Sequence, residues 1–198
     1  MKSVIRYGFI LSVICLVATG LLSFVNSFTK TRISQQAQSE IRDSLKEVLP
    51  DAALFEPVKS KEEILYYKAI DENKNLLGVA FTASKKGYSS DIETMVGMKP
   101  DGTITAIKIL NHNETPGLGS RITEVKDDTT IFDFLKGKRK TEFRKPWFQE
   151  QFSDKKISGL DDIQAITGAT ISSKAVIDSV KIKAQEILKS LENEKKNE

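Results

Sequence analysis

From Tyr7 to Thr29 the chain runs for 23 residues without a charged side chain, rich in Leu, Ile, Val and Phe. Few folds accommodate such a run in water. As an α-helix rising 1.5 Å per residue it covers roughly 34 Å, enough for a bilayer hydrocarbon core of about 30 Å. A cleaved export signal is the competing reading, but its apolar stretch is normally about 7–15 residues and closes on a small-x-small site. Here the stretch is longer and no Ala-x-Ala follows it. Cys15 does not read as a lipid-attachment residue either, because Ile14 stands where a small residue is expected. The run is therefore read as an uncleaved, single-pass anchor in membrane lipid, over residues 7–29. Lys2 and Arg6 flank one end and Lys30 and Arg32 the other, so flanking charge alone does not orient it.

Beyond the anchor, Ile33, Ala37, Ile41, Leu45 and Val48 or Leu49 recur every three or four residues, and Pro50 follows. This spacing predicts an amphipathic linker helix over 30–50 that continues from the anchor as a stalk. The body, 51–198, follows. Setting aside Lys2 and Arg6, the 30 basic residues fall to 28 against 27 acidic ones, so the chain is nearly neutral. No broad basic face points to a nucleic-acid partner. The short Lys138-Arg139-Lys140 cluster reads as a solvated loop. One Cys and one His cannot form a disulfide, a His/Cys zinc cluster or a Cys-ligated iron–sulfur centre, and no metal ligands are assigned. Redox chemistry in this chain requires an organic cofactor, or a metal held mainly by oxygen.

Residues 64–70 and 76–83 have the composition of strands, with a polar turn over 71–75 between them. A third strand is expected over 91–98, with Ile92, Val96 and Met98 on one face. Lys99-Pro100-Asp101-Gly102 is a turn signal, because Pro presets φ and Gly takes a left-handed position. Residues 103–110 return as a fourth strand, so the sheet is read as antiparallel. A short helix is expected over 128–136. From Ser172 or Ser173 a long helix begins, with Val176, Val180, Ala184, Ile187 and Leu191 on one face. The fold class is α+β.

Two segments have the make-up of functional loops. The first is Ile166-Thr167-Gly168-Ala169-Thr170-Ile171-Ser172-Ser173, just before the long helix. A helix N-terminus offers unpaired amides and a partial positive charge, which suit a phosphate. Gly beside Ser or Thr at this place is equally ordinary capping chemistry, and these residues alone favour the cap. The second segment is His112-Asn113-Glu114-Thr115-Pro116-Gly117-Leu118-Gly119, following a strand. His112 is a possible base but stands without a Ser/His/Asp arrangement, so a hydrolase has little support. Glu114 suits either a turn cap or an ion. Trp147, Phe148 and Phe152 form an aromatic cluster for which core packing is the expected role, and Tyr88 is read the same way.

Together the two segments carry a resemblance. The chain resembles the G subunit of Rnf-type ion-motive electron transport complexes and, more distantly, the C subunit of the sodium-pumping NADH:quinone reductase. The likeness runs through the N-terminal span, Gly87-Tyr88, Met95-Val96-Gly97 before Asp101-Gly102, the 112–119 run, Trp147 with Gln151-Phe152, and Thr167-Gly168-Ala169-Thr170. It implies an FMN-binding domain over 51–198 on the extracytoplasmic side of the cell (inner) membrane, with residues 1–6 cytoplasmic. It implies FMN esterified through its phosphate to Thr170, a bond made by a flavin transferase. Thr167, Gly168, Ala169, Ser172 and Ser173 would surround the phosphate, the two serines as donors. His112, Glu114, Thr115, Gly117, Leu118 and Gly119 would form the rest of the cofactor site, with Leu118 against the ring. No residue of this chain is expected to be catalytic, and no Gly-x-Gly-x-x-Gly fingerprint for NAD is visible. The chain would relay electrons in a complex linking ferredoxin and NAD to ion pumping, alongside membrane and redox subunits holding iron–sulfur centres and dinucleotide sites. Two other readings are an FMN carrier of a different respiratory route, and a tethered domain holding a phosphate-containing ligand without covalent attachment. The family pattern often has Asp where this chain has Gln164.

Overall fold

A single helix, α1 (Lys2–Val48), carries both the apolar run and the expected linker without a break. The structure, a computed structural model, describes residues 2–60, 63–125 and 145–197. The helix expected over 128–136 and the 138–140 basic cluster lie outside the described residues. The chain divides into two compact units, Met1–Arg42 and Asp43–Glu198. In the first, α1 is long and apolar enough to cross a membrane by length and composition, and its Ile, Leu, Val and Phe side chains from Ile5 to Ile33 are exposed.

The second unit is built on six antiparallel strands in sequence order: β1 (Leu54–Ser60), β2 (Glu63–Ile70), β3 (Leu76–Lys86), β4 (Asp91–Met98), β5 (Thr103–Asn111) and β6 (Lys155–Lys156). The four expected strands are all present. β1 is an addition to them, since Pro57 lies within it; as an edge strand it tolerates a residue with no N–H to give. The turns form as their residues dictate. Gly102 adopts φ +83° and donates its N–H to the Lys99 carbonyl at 3.0 Å. Asp71 accepts from the amides of Asn73 and Asn75.

One face of the sheet carries the core. Val79, Phe81 and Ala83 of β3 and Ile92, Val96 and Met98 of β4 meet the long helix α3 (Thr170–Asn197). All five expected α3 residues, from Val176 to Leu191, are buried there. The short helix α2 (Trp147–Glu150) and the 3₁₀ segment Ile157–Asp162 add Phe148, Phe152 and Leu160. Phe148 and Phe152 stack edge-on at 5.6 Å, and Trp147 packs partly buried beside them, as expected of a core cluster. A register shift opposite Gly97/Met98 lets Ile104 and Ile107, three apart on β5, both enter the core.

The same irregularity turns Thr105 toward the end of α1. Of the predicted linker, Ser44, Leu45, Val48 and Leu49 are buried, while Ile33 and Ala37 are exposed. The Thr105 hydroxyl donates to the Val48 carbonyl at 2.7 Å, and Lys108 pairs with Glu47 at 2.6 Å. A Cβ at Gly97 would come within 2.6 Å of that same carbonyl, so the close approach requires glycine. Thr105→Val removes the hydroxyl's bond to the Val48 carbonyl at the end of the helix and leaves the Lys108–Glu47 pair in place. It should lower stability by about 1 kcal/mol, read from the urea midpoint of the 43–198 unit.

Candidate functional site

Three segments far apart in sequence converge at one end of the sheet: the Gly87–Ser90 turn between β3 and β4, the loop after β5, and the turn leading into α3. They meet on Glu114, which is 5% exposed. Its Oε1 accepts from the amides of Ser89 (3.0 Å) and Ser90 (3.2 Å). Its Oε2 accepts from the amide of Tyr88 (3.3 Å) and from the Ser172 hydroxyl (2.6 Å). Burial by itself pushes the carboxyl pKa up. The bonds from Ser172, Ser89, Ser90 and Tyr88 outweigh it and hold the group below the ordinary carboxylate value, so Glu114 is an anion at neutral pH.

The loop is shaped around that anion. The Glu114 amide donates to His112 Nδ1 at 3.3 Å, and the Thr123 hydroxyl lies 3.5 Å from Nε2. The Asn113 amide donates to the Ser90 hydroxyl at 2.7 Å. Gly117, at φ +74°, donates to the Ser120 hydroxyl before the 3₁₀ turn Gly119–Thr123. A Cβ at Gly119 would collide with Oε2 of Glu114 and lie 2.8 Å from both Glu114 Cβ and Ser172 Oγ. Gly119→Ala should therefore cost about 1–3 kcal/mol by pushing the loop off α3, seen as a lower urea midpoint with an unchanged slope.

On the facing side, Ala169 donates to the Ile166 carbonyl at 2.9 Å, closing a turn in which Gly168 takes φ +82°. Helix α3 then starts at Thr170, two residues earlier than its composition suggests. Its first i→i−4 bond runs from Ser173 to Ala169. The amides of Thr170, Ile171 and Ser172 precede that bond and have no helical acceptor. Among the described residues, no hydrogen bond uses the Thr167 or Thr170 hydroxyl, so the capping expected of this segment is not what forms. The Ser172 and Ser173 hydroxyls are both buried and engaged within the protein. Ser172 donates to Glu114, and Ser173 accepts from the Ile166 amide at 3.0 Å. They do not serve as outward-facing donors.

Between the two sides lies a cavity of about 350 Å³. Of the anticipated site residues, Glu114, Thr115, Leu118, Gly119, Gly168, Ala169, Thr170 and Ser172 line it. His112, Gly117, Thr167 and Ser173 do not line it; they belong to the loops and helix start that do. A Cβ at Gly168 would lie 3.7 Å from Leu118 Cδ2, which measures how closely the two motifs approach. Two further lining residues, Ile171 and Tyr88, fall outside the anticipated set. Tyr88 is not in the core: it is 70% exposed, because its turn faces the cavity rather than the sheet. Leu118 (52%) and Ile171 (56%) are exposed beside it, so the walls are apolar but open. Arg121 reaches the Thr167 carbonyl at 3.3 Å while pairing with Glu124. Gln164 presents its side chain to solvent, and its backbone is held on both sides by the Gln151 amide group.

Residues 87–185 match the pattern of an FMN-binding domain, and residues 1–48 match the RnfG N-terminal region. The chain is similar to the G subunit of the ion-translocating oxidoreductase complex of Methanosarcina acetivorans, at 32% identity over 85% of this chain and 86% of that one. It is similar also to the G subunit of the Na(+)-translocating ferredoxin:NAD(+) oxidoreductase complex of Acetobacterium woodii, at 33% identity over 93% and 91%. The corresponding protein of Escherichia coli K12, again a G subunit of an ion-translocating oxidoreductase complex, is 30% identical over 91% and 89%. Among solved structures, NqrC of Shewanella oneidensis aligns over 74% of each chain, with a TM-score of 0.48 and 18% identity.

Proposed function

The chain belongs to the family of G subunits of Rnf-type ion-translocating oxidoreductase complexes, and on that premise we propose that it relays electrons through an FMN esterified to Thr170. The observation that carries this reading is Thr170 itself. Its side chain is exposed at the rim of an apolar cavity, at the first residue of α3, beside amides with no helical acceptor. The residues fit the cofactor. About 350 Å³ falls within the usual range for small-molecule pockets. Leu118, Ile171 and Tyr88 suit a planar aromatic ring, and the start of α3 suits the phosphodiester that would join it to Thr170.

FMN, when bound, supplies the exchange of electrons; the protein supplies position and electrostatics. Thr170 acts as a tether, leaving the redox-active ring unmodified. Gly168 and Gly119 keep the two loops close enough to enclose one face of a ring, and the Glu114–Ser172 bond holds those loops to each other. α1 anchors the domain to the cell (inner) membrane, with the 43–198 unit on the extracytoplasmic side. Ferredoxin- and NAD-handling chemistry belongs to partner subunits. A flavin transferase is the modifying enzyme.

The test is mass spectrometry of the full chain co-expressed with a flavin transferase. The expected adduct has the mass of FMN less one water, on the peptide containing Thr170. A colourless, unmodified chain under those conditions sinks the covalent reading. A protease or labelling reagent added outside intact cells should reach the C-terminal unit; complete protection would contradict the topology.

A further inference from the structure

We infer that Tyr88 is the aromatic wall of the flavin site and that Glu114 is the positioning residue that presents it. This rests on the flavin reading above and adds to it the face against which the ring lies.

An exposed tyrosine is ordinary on any surface. The backbone beneath this one is not. Three consecutive amides, those of Tyr88, Ser89 and Ser90, converge on one buried carboxylate contributed by a different loop. Successive amides turned to one point form an anion-binding concavity, and here Glu114 fills it. The turn is further closed by Gly87 donating to the Ser90 carbonyl at 2.8 Å. Gly87 admits the carboxylate, since a Cβ there would lie 2.6 Å from Oε1.

Burying an anion is costly unless donors compensate it, and here three amides and one hydroxyl do. The second carboxylate oxygen shows what it is positioned against. It takes the Ser172 hydroxyl, two residues beyond Thr170 on α3. One side chain therefore sets the turn carrying Tyr88 relative to the helix carrying the tether. Both residues line the same cavity, with Leu118 and Ile171 as its aliphatic walls. A large, planar, solvent-exposed ring held on a braced turn suits stacking against a flat aromatic ligand, whereas the aliphatic walls supply only contact area.

The experiment uses the full-length chain carrying its flavin and reads flavin emission. A phenol in contact with the ring quenches emission by passing an electron to the excited flavin and taking it back, with no net reaction. Tyr88→Phe keeps the shape and removes the electron donor, so emission should rise severalfold with the adduct mass unchanged. Tyr88→Ala should show the same rise and let dissolved iodide reach the ring. Glu114→Gln keeps Tyr88 but breaks the clamp, and should also raise emission. Unchanged emission in Tyr88→Phe overturns the assignment of Tyr88. A rise there, with quenching retained in Glu114→Gln, overturns the positioning role. Hydrogen exchange at residues 88–90 checks the clamp without any variant. Slow exchange in the unmodified chain is expected, and fast exchange overturns the positioning role even where the Gln variant fails to fold. No adduct on the unsubstituted chain would instead overturn the flavin reading, and this inference with it.

Discussion

Thr170→Val is expected to yield a folded chain that carries no flavin after co-expression with the transferase. The two side chains are nearly isosteric and both branch at Cβ, so their effects on a helix are close. Thr170 is exposed and its hydroxyl is not used in a hydrogen bond among the described residues, so the substitution leaves no internal group without a partner. Stability should change by less than about 0.5 kcal/mol. Attachment, which needs an oxygen nucleophile to form the phosphoester, should fall to nothing. Thr170→Ser keeps that oxygen and should retain the adduct. The combination separates a tether from a structural residue: thermal midpoints alike across all three proteins, with adduct absent in Val alone. An adduct that persists in the Val variant would move the attachment elsewhere and remove Thr170 from the mechanism.

The second large effect concerns acid. Glu114→Gln should cost about 2–3 kcal/mol at neutral pH, because each carboxylate oxygen faces two donors. However the amide is turned, its NH₂ points at a pair of N–H or O–H groups. The pH dependence follows from the sign of the shift. The folded pKa lies below the ordinary value of 4.5, so the unfolded chain takes up the proton first on acidification. The contribution is fully present above about 4.5 and is lost as pH falls through the lower, folded value. Asp71 and Asp101 are also held low by hydrogen bonds, from Asn75 and Thr103 respectively, and weaken the fold in the same acid range. Their effect cancels in the difference between wild type and variant. That difference, from urea melts between about pH 7 and 3, should be largest at neutral pH and shrink toward the acid end. A gap independent of pH would mean that Glu114 does not act as an anion.

Much of the fold is legible in sequence because its signals are local. Alternation along β4 and the 3.6-residue spacing along α3 each report which face is buried, and spacing alone places Ile92, Val96, Val176 and Val180 correctly. β1 is hidden because Pro57 reads as a strand breaker, and only its place at the sheet edge makes it tolerable. Composition starts α3 two residues late because Ser172 and Ser173 look like caps. Their hydroxyls instead serve Glu114 and Ile166. Composition likewise assigns Tyr88 to the core, and nothing within its own segment reveals that the turn beneath it is held by a residue 26 positions away.

The apolar run of 7–29 still dictates a helix of membrane-spanning length, and the Thr-Gly-Ala-Thr motif, taken together with the 112–119 run, still suggests Thr170 as the residue on which we propose a cofactor hangs. The first is a property of contiguous residues and the second of two short runs in their order along the chain, and one-dimensional order is enough to state both as expectations. What the tertiary structure decided is the cavity. The Glu114 carboxylate could have faced a ligand or the protein, and its contacts 24 to 58 residues away turn it inward as a brace. Those contacts depend on strand register, on the irregularities in β4 and β5, and on the close approach that Gly87 and Gly119 allow. No local periodicity encodes them, because each arises only where separate segments are brought to the same place.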